Sequence, residues 1–270
     1  MLALRQFLRT IYWKLERIID PEPADAHRFY ADVVRRKIQP ESAWLEVGCG
    51  HDVFVPWVPS AADIVQNCKL VVGIDYDLES LKNNKLIKYR VVGDLLNLPC
   101  CDEVFDYITA NMVMEHVADP VQALKSIERL LKPGGTFICH TPNYWHYWTF
   151  LPSLVPQKIK TKLIEFVEGR TEEDIFPTFY RFNTVRKIRE TTEKAGLKIR
   201  ELHKIPASSS AAILVLGPLI VFHLLFRRLS RWKLLENFRD NFVVVLEKSG
   251  VPREQTRIQK STLKAHAVAR

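Results

Sequence analysis

Cysteine is scarce and unpatterned in this chain. Cys49, Cys68, Cys100, Cys101 and Cys139 show no metal-ligand spacing, and an odd number does not suit a disulfide framework. Cys100 and Cys101 are adjacent, a poor geometry for an ordinary bridge. A reducing, cytoplasmic compartment and no bound metal are therefore expected. Glycine is missing at a telling place: Gly48 and Gly50 are followed by Val53, where the dinucleotide fingerprint G-x-G-x-x-G needs its third glycine. The helix N-terminus that would meet a pyrophosphate is thus not written, which counts against a nicotinamide-dependent oxidoreductase. Repeats and low-complexity tracts are also absent. Arg5 and Arg9 interrupt what would have to be the apolar region of a secretion signal, so none is expected.

What is present fits a folded protein. At 270 residues, 47% hydrophobic and 26% charged, the chain suits one domain of moderate size with an added substrate-binding part, and global disorder is excluded. The net charge of +8 invites a nucleic-acid reading. Its location argues otherwise, because residues 248–270 hold six basic residues against the single acid Glu254. Most of the excess sits in a polar, frayed tail, a place for solubility or for contact with an anionic surface, and no nucleic-acid partner is expected.

Leu4, Phe7, Leu8, Ile11, Leu15, Ile18 and Ile19 recur at helical spacing, which predicts an amphipathic helix over residues 3–19. It packs on the domain or, being basic and carrying Tyr12 and Trp13, lies in a membrane interface. Asp20-Pro21-Glu22-Pro23 breaks it, and residues 24–38 form the next helix. Strands are expected at 43–47, 70–75, 89–92, 104–110, 135–141, 197–203 and 241–247, with helices between them. Asp119-Pro120 starts one of these helices, with Val121, Leu124, Ile127 and Leu131 as its buried stripe. Strands alternating with helices predict an α/β, doubly wound, mostly parallel sheet.

The most informative segment is Leu45-Glu46-Val47-Gly48-Cys49-Gly50, with Gly73-Ile74-Asp75 after it. It reads as a buried strand, a glycine turn that lets backbone approach a ligand, and a second strand tipped by a carboxylate that can accept a ribose diol. That arrangement binds an adenosine-containing cofactor. Further along come Val92-Gly93-Asp94, Phe105-Asp106-Tyr107-Ile108, Met114-Glu115-His116-Val117 and Leu130-Leu131-Lys132-Pro133-Gly134-Gly135. In this order the set resembles the class I S-adenosylmethionine-dependent methyltransferases, in particular those whose core is similar to quinone-biosynthesis enzymes. The resemblance covers residues 25–143 and returns at the C-terminal strands.

The resemblance implies a seven-stranded Rossmann-like sheet with its last strand antiparallel, and S-adenosylmethionine as cofactor. It implies that Gly48, Cys49 and Gly50 flank the methionyl part and that Glu46 orients the turn. Asp75 then takes the ribose, Asp94 the adenine amino group, and Leu95 the ring through its backbone amide. Asp52 stands where the family usually has another glycine, and Pro56 and Pro59 interrupt the helix expected next. For the methyl acceptor, His116 is the candidate base and Asn111 a lining residue of the transfer channel. The competing assignment for His116 is a helix-start histidine bonded to backbone.

Residues 144–182 are rich in aromatics and fall where the family places its acceptor cover. Tyr144, Trp145, Tyr147 and Arg181 are the substrate-binding candidates, although aromatics at this spacing also suit a plain core. Residues 205–226 carry no formal charge. Three outcomes are open for them: a transmembrane span, a buried helix or hairpin, or a membrane-surface hairpin with Arg227, Arg228, Arg231 and Lys233 at headgroup level. A single span conflicts with the return of the chain to the strand at 241–247.

The expected organisation is therefore an N-terminal helix (1–23), a cofactor-binding core (24–143), an aromatic cover (144–182), the rest of the core (183–247) with an apolar insertion (205–236), and a basic tail (248–270). The expected activity is methyl transfer to a small or lipid-linked acceptor such as a glycan, lipid or quinone-type intermediate. Peripheral contact with the inner face of the membrane would run through 205–233 and the N-terminal helix. The rival is a non-catalytic cofactor-binding or membrane-recruitment module.

Overall fold

The apolar runs of the sequence become strands, and those at the centre of the sheet are largely buried on both faces. In the computed structural model, which describes residues 2–155, 177–207 and 220–250, seven strands form one sheet. They are β1 (Ala43–Val47), β2 (Leu70–Asp75), β3 (Tyr89–Val92), β4 (Phe105–Asn111), β5 (Leu131–Pro142), β6 (Leu197–Ile205) and β7 (Asn241–Lys248). Their order is β3-β2-β1-β4-β5-β7-β6. β1 to β5 are parallel, and β7 lies antiparallel between β5 and β6. This is the doubly wound sheet, last strand reversed, that the sequence led us to expect.

Helix boundaries follow capping side chains. α1 (Leu2–Ile19) is followed by α2 (Ala26–Lys37), whose first amides at His27 and Arg28 are bound by Asp25. α3 (Ala62–Asn67) has no side-chain cap, whereas Asp77 caps α4 (Leu78–Asn83). Asp119 caps α5 (Pro120–Leu130), with proline in the first turn. His146 caps α6 (Tyr147–Ser153), Thr184 caps α7 (Val185–Lys194), and α8 (Ile220–Leu229) follows the 208–219 segment, which lies outside the described residues.

Alternation along the strands fills two cores. Leu45, Val47, Ile108, Phe242, Val244 and Leu246 face one side with Leu124 and Ile127 of α5 and Ile188 of α7. Trp44, Ile138, Val243 and Val245 face the other with Tyr30, Val33 and Val34 of α2. A third cluster joins α1 to α8 through Tyr12, Ile220 and Leu224. Beside it Arg227 donates to Asp20 Oδ2 at 2.6 Å and to Glu16 Oε1 at 2.7 Å, all three side chains being buried.

Two expectations change. The turn at Pro133-Gly134-Gly135 lies inside β5 as an irregularity: Phe105 pairs with Leu131 but Tyr107 with Thr136. Lys248 belongs to β7 and not to the tail; its buried ammonium bonds Leu131 O at 2.7 Å and pairs with Glu103 and Glu128. Residues 51–61 form turns, so the glycine turn leads into no helix before Ala62, as Pro56 and Pro59 suggested. Phe166, Phe176 and the tail beyond Gly250 lie outside the described residues.

Candidate functional site

From β1 the chain winds out to β2 and β3 and returns to β4 on the other side of β1, so strand order reverses between β1 and β4. In open α/β sheets ligands sit beyond the carboxyl ends at such a reversal. Here the two glycines make the turn. Gly48 and Gly50 have φ of +68° and +44°, and a Cβ on Gly48 would come within 2.3 Å of Val113 Cγ2. The Gly48 amide is held by Ile74 O at 2.7 Å.

The turn is fastened by two side chains. Asp75 Oδ2 accepts from Gly50 N at 2.8 Å, and Asp75 Oδ1 accepts from Asp77 N at 2.9 Å. The buried Asn84 donates to Cys49 O and Gly50 O, both at 3.2 Å, and accepts from Leu86 N and Ile87 N. Sequence reasoning missed Asn84, because a lone asparagine after a short helix carries no pattern. Asp52 accepts from Val53 N at 2.7 Å.

A cavity of about 420 Å³ opens at this edge. Of the residues expected from sequence, Gly48, Asp75, Asp94, Leu95, Asn111 and His116 line it. Asp94 also caps the short turn Leu95–Asn97, its Oδ1 accepting from Leu96 N at 2.9 Å. Glu46, Cys49 and Gly50 stand behind the lining. Cys49 Sγ fills the space that a side chain on Gly73 would need, and burial pushes its thiol up to about 12. Glu46 shares the Trp44 face of β1, accepts from Thr109 Oγ1, and has no hydrogen-bond partner at Oε1. Burial, partly offset by the Thr109 bond, raises its pKa to about 8, so the carboxyl is protonated at neutral pH.

The far wall comes from the loop after β4 and from residues 177–179. His116 Nδ1 is 2.9 Å from Pro177 O, and a carbonyl only accepts, which places the ring proton on Nδ1. In the neutral ring Nε2 is then unprotonated, 4.0 Å from Glu115 Oε1. Burial raises the Glu115 pKa to about 7, and Thr141 Oγ1 donates to its carboxylate at 3.1 Å. Asn111 reaches His140 Nδ1 at 2.9 Å, and His140 Nε2 meets Asn241 Oδ1 at 3.0 Å. Burial, then the nearby His27 ring, lowers His140 to about 3. A neutral imidazole has one N–H, so one of the two amides must turn its NH2 toward the ring.

The aromatic candidates lie elsewhere. Tyr144 packs on Trp145, Phe150 and Tyr180, while Tyr147 bonds His223 and stacks edge-on to Phe222 and Phe226 of α8. None of Tyr144, Trp145 and Tyr147 lines the cavity, nor does Arg181. Arg181 donates to Ala118 O at 2.7 Å and covers the Phe179 ring, so it sits at the rim. Of the aromatics after β5, Phe179 does enter the wall, as Tyr76 does after β2; the amides of Phe179 and Tyr180 both bind Glu115 O, strapping this segment across the loop after β4.

Residues 45–139 match the family model described as a methyltransferase domain. The chain is 32% identical over 142 residues to a demethylmenaquinone methyltransferase of Staphylococcus carnosus, covering 50% of this chain and 56% of that protein. It spans about half the length of the curated relatives it matches. Its fold is that of the methyltransferase solved with the Haloferax volcanii Trm112 activator, with a TM-score of 0.52 and 18% identity over 83% of this chain and 89% of that one. It is also that of the geranyl diphosphate C-methyltransferase of Streptomyces coelicolor A3(2), with a TM-score of 0.52 and 13% identity over 81% and 79% of the two chains. At such identities the likeness is one of fold. Residues 45–139 are a class I S-adenosylmethionine-dependent methyltransferase domain.

Proposed function

We propose that this chain, built on a class I methyltransferase domain, holds S-adenosylmethionine in the cavity at the β1–β4 reversal and methylates a small apolar or lipid-linked acceptor. The observation that carries the reading is the Asp75 carboxylate at the cavity lip. Each of its oxygens takes one backbone amide and keeps a second lone pair, a pair of acceptors that suits a vicinal ribose diol. Asp94 and the Leu95 amide would meet the adenine. The Gly48–Gly50 turn, with Cys49 and Glu46 packed behind it, would cradle the methionyl end. A cavity of about 420 Å³ is of the size that takes such a ligand.

The cofactor supplies an electrophilic methyl group. The protein's part is to align the acceptor with it and keep water out, an alignment worth roughly 7–11 kcal/mol. Val113, Val117, Pro177 and Phe179 form an apolar wall, in which Asn111 and His116 are the polar groups. His116, with its proton held on Nδ1 by Pro177 O, presents Nε2 as the base for a hydroxyl or activated carbon. Arg181 at the rim suits an anionic group on the acceptor. An apolar wall with one base fits a flat, quinone-type ring, the class of acceptor in the name of the demethylmenaquinone methyltransferases.

Asp52 in the usual glycine position supports a second reading, cofactor binding without turnover. The deciding experiment incubates the protein with S-adenosylmethionine and a lipid and quinone extract. Accumulation of S-adenosylhomocysteine is expected. Binding without turnover favours the second reading, and no binding rejects both.

A further inference from the structure

We infer that the outward face of α8 docks on an anionic lipid bilayer. Both sides of the helix carry apolar side chains. Ile220, His223, Leu224 and Arg227 turn inward onto α1, while Val221, Phe222, Leu225 and Leu229 turn outward, and Trp232 just beyond is 65% exposed. Large exposed apolar surfaces mark contact sites. Tyr147 packs on Phe222 and Phe226, so α6 lies alongside and extends the surface with the exposed Leu151 and Leu154.

Charge selects the occupant. Most acids of this region are used internally, Glu16 and Asp20 by Arg227 and Glu236 by Lys204, while Glu22 is exposed. The basic residues Lys14, Arg17, Arg228 and Lys233 are exposed. An apolar stripe with tryptophan at its end and with Arg228 and Lys233 exposed on the same segment complements lipid headgroups of negative charge. Among the described residues no helix is long and apolar enough to cross a membrane. The ten residues of α8 span about 15 Å against a hydrocarbon core of about 30 Å, so the contact lies in the plane of the interface. This inference goes beyond methyl transfer and needs neither cofactor nor acceptor.

The test is co-sedimentation of the full chain with phosphatidylcholine vesicles, with and without phosphatidylglycerol. Binding to the anionic vesicles that weakens with salt is expected. The triple substitution Phe222→Ser, Leu225→Ser, Trp232→Ser should lower it at least about tenfold with an unchanged thermal melt, since it removes three large exposed apolar side chains of the stripe. The charge variant Arg228→Glu, Lys233→Glu should lower it as well. The inference is overturned if the wild type stays in solution, or if the triple variant binds as well as wild type. It is equally overturned if that variant converts a dimer to a monomer, which assigns the face to a second copy. Vesicle binding gained only after 208–219 is replaced by a glycine-serine linker would assign it to the chain's own apolar segment.

Discussion

Asp75 Oδ2 lies 2.8 Å from the amide of Gly50, across the turn that Gly50 itself makes. The residue assigned to the ribose is therefore also a clamp on the loop beneath the cofactor. Removing it does two things at once, and the substitutions must separate them.

Asp75→Ala should weaken S-adenosylmethionine binding about tenfold or more, the loss of one hydrogen bond to a charged group. Asp75→Asn keeps one oxygen acceptor and should retain more of the loop than of the affinity. Calorimetry measures the affinity, and proteolysis of the 48–52 loop reports its order. Unchanged affinity in both variants would remove Asp75 from the site.

Gly48→Ala combines a left-handed φ, costing roughly 1–2 kcal/mol in a residue with a Cβ, with a collision against Val113. Adding Val113→Ala should restore the collision part and leave the backbone part. Urea unfolding of the two single variants and the double variant gives the coupling. Strict additivity would mean that the two residues do not touch.

Glu46 holds a proton in the folded state up to about pH 8, whereas in an unfolded chain it has lost it well below that. The folded form binds more protons across this interval. Stability should therefore fall as pH rises from about 5 to about 8, with a slope of up to about 1.4 kcal/mol per unit from this group. Glu46→Gln should flatten the curve, with a residual slope from Glu115 and Asp240, which burial raises to about 7. A slope that the substitution does not alter would mean that Glu46 is ionised in the fold.

His116→Gln should slow product formation roughly 100-fold, the usual contribution of a positioned base, with cofactor affinity unchanged. Should the rate hold while the melting temperature drops, the bond to Pro177 O is the whole purpose of the ring.

The strands were legible as short runs bounded by turn residues: β1, β2 and β3 begin and end where the sequence placed them, although only β1 is buried throughout and β3 is an exposed edge. The turn glycines, Asp75 and Asp94 were legible for a related reason, since strand ends put their side chains at one edge. Contacts between distant segments were not. Nothing near Glu16 announces Arg227, 211 residues away, nor does Tyr147 announce His223. Aromatic spacing pointed to Tyr144, Trp145 and Tyr147 as cavity residues, but their rings found closer apolar partners in Phe150, Tyr180 and α8. Phe179 entered the wall only because its backbone binds Glu115 O.

Ile205 and Asn241 are direct partners on one rung of the β6–β7 ladder. The chain thus leaves the sheet at Ile205 and rejoins it at Asn241 on the same rung, and α8 between them is an appendage to the sheet, fastened to α1 by Arg227. Such an appendage can be lengthened, traded or recharged in descendants without re-registering a strand, leaving the place where the molecule attaches and the chemistry it performs open to separate change.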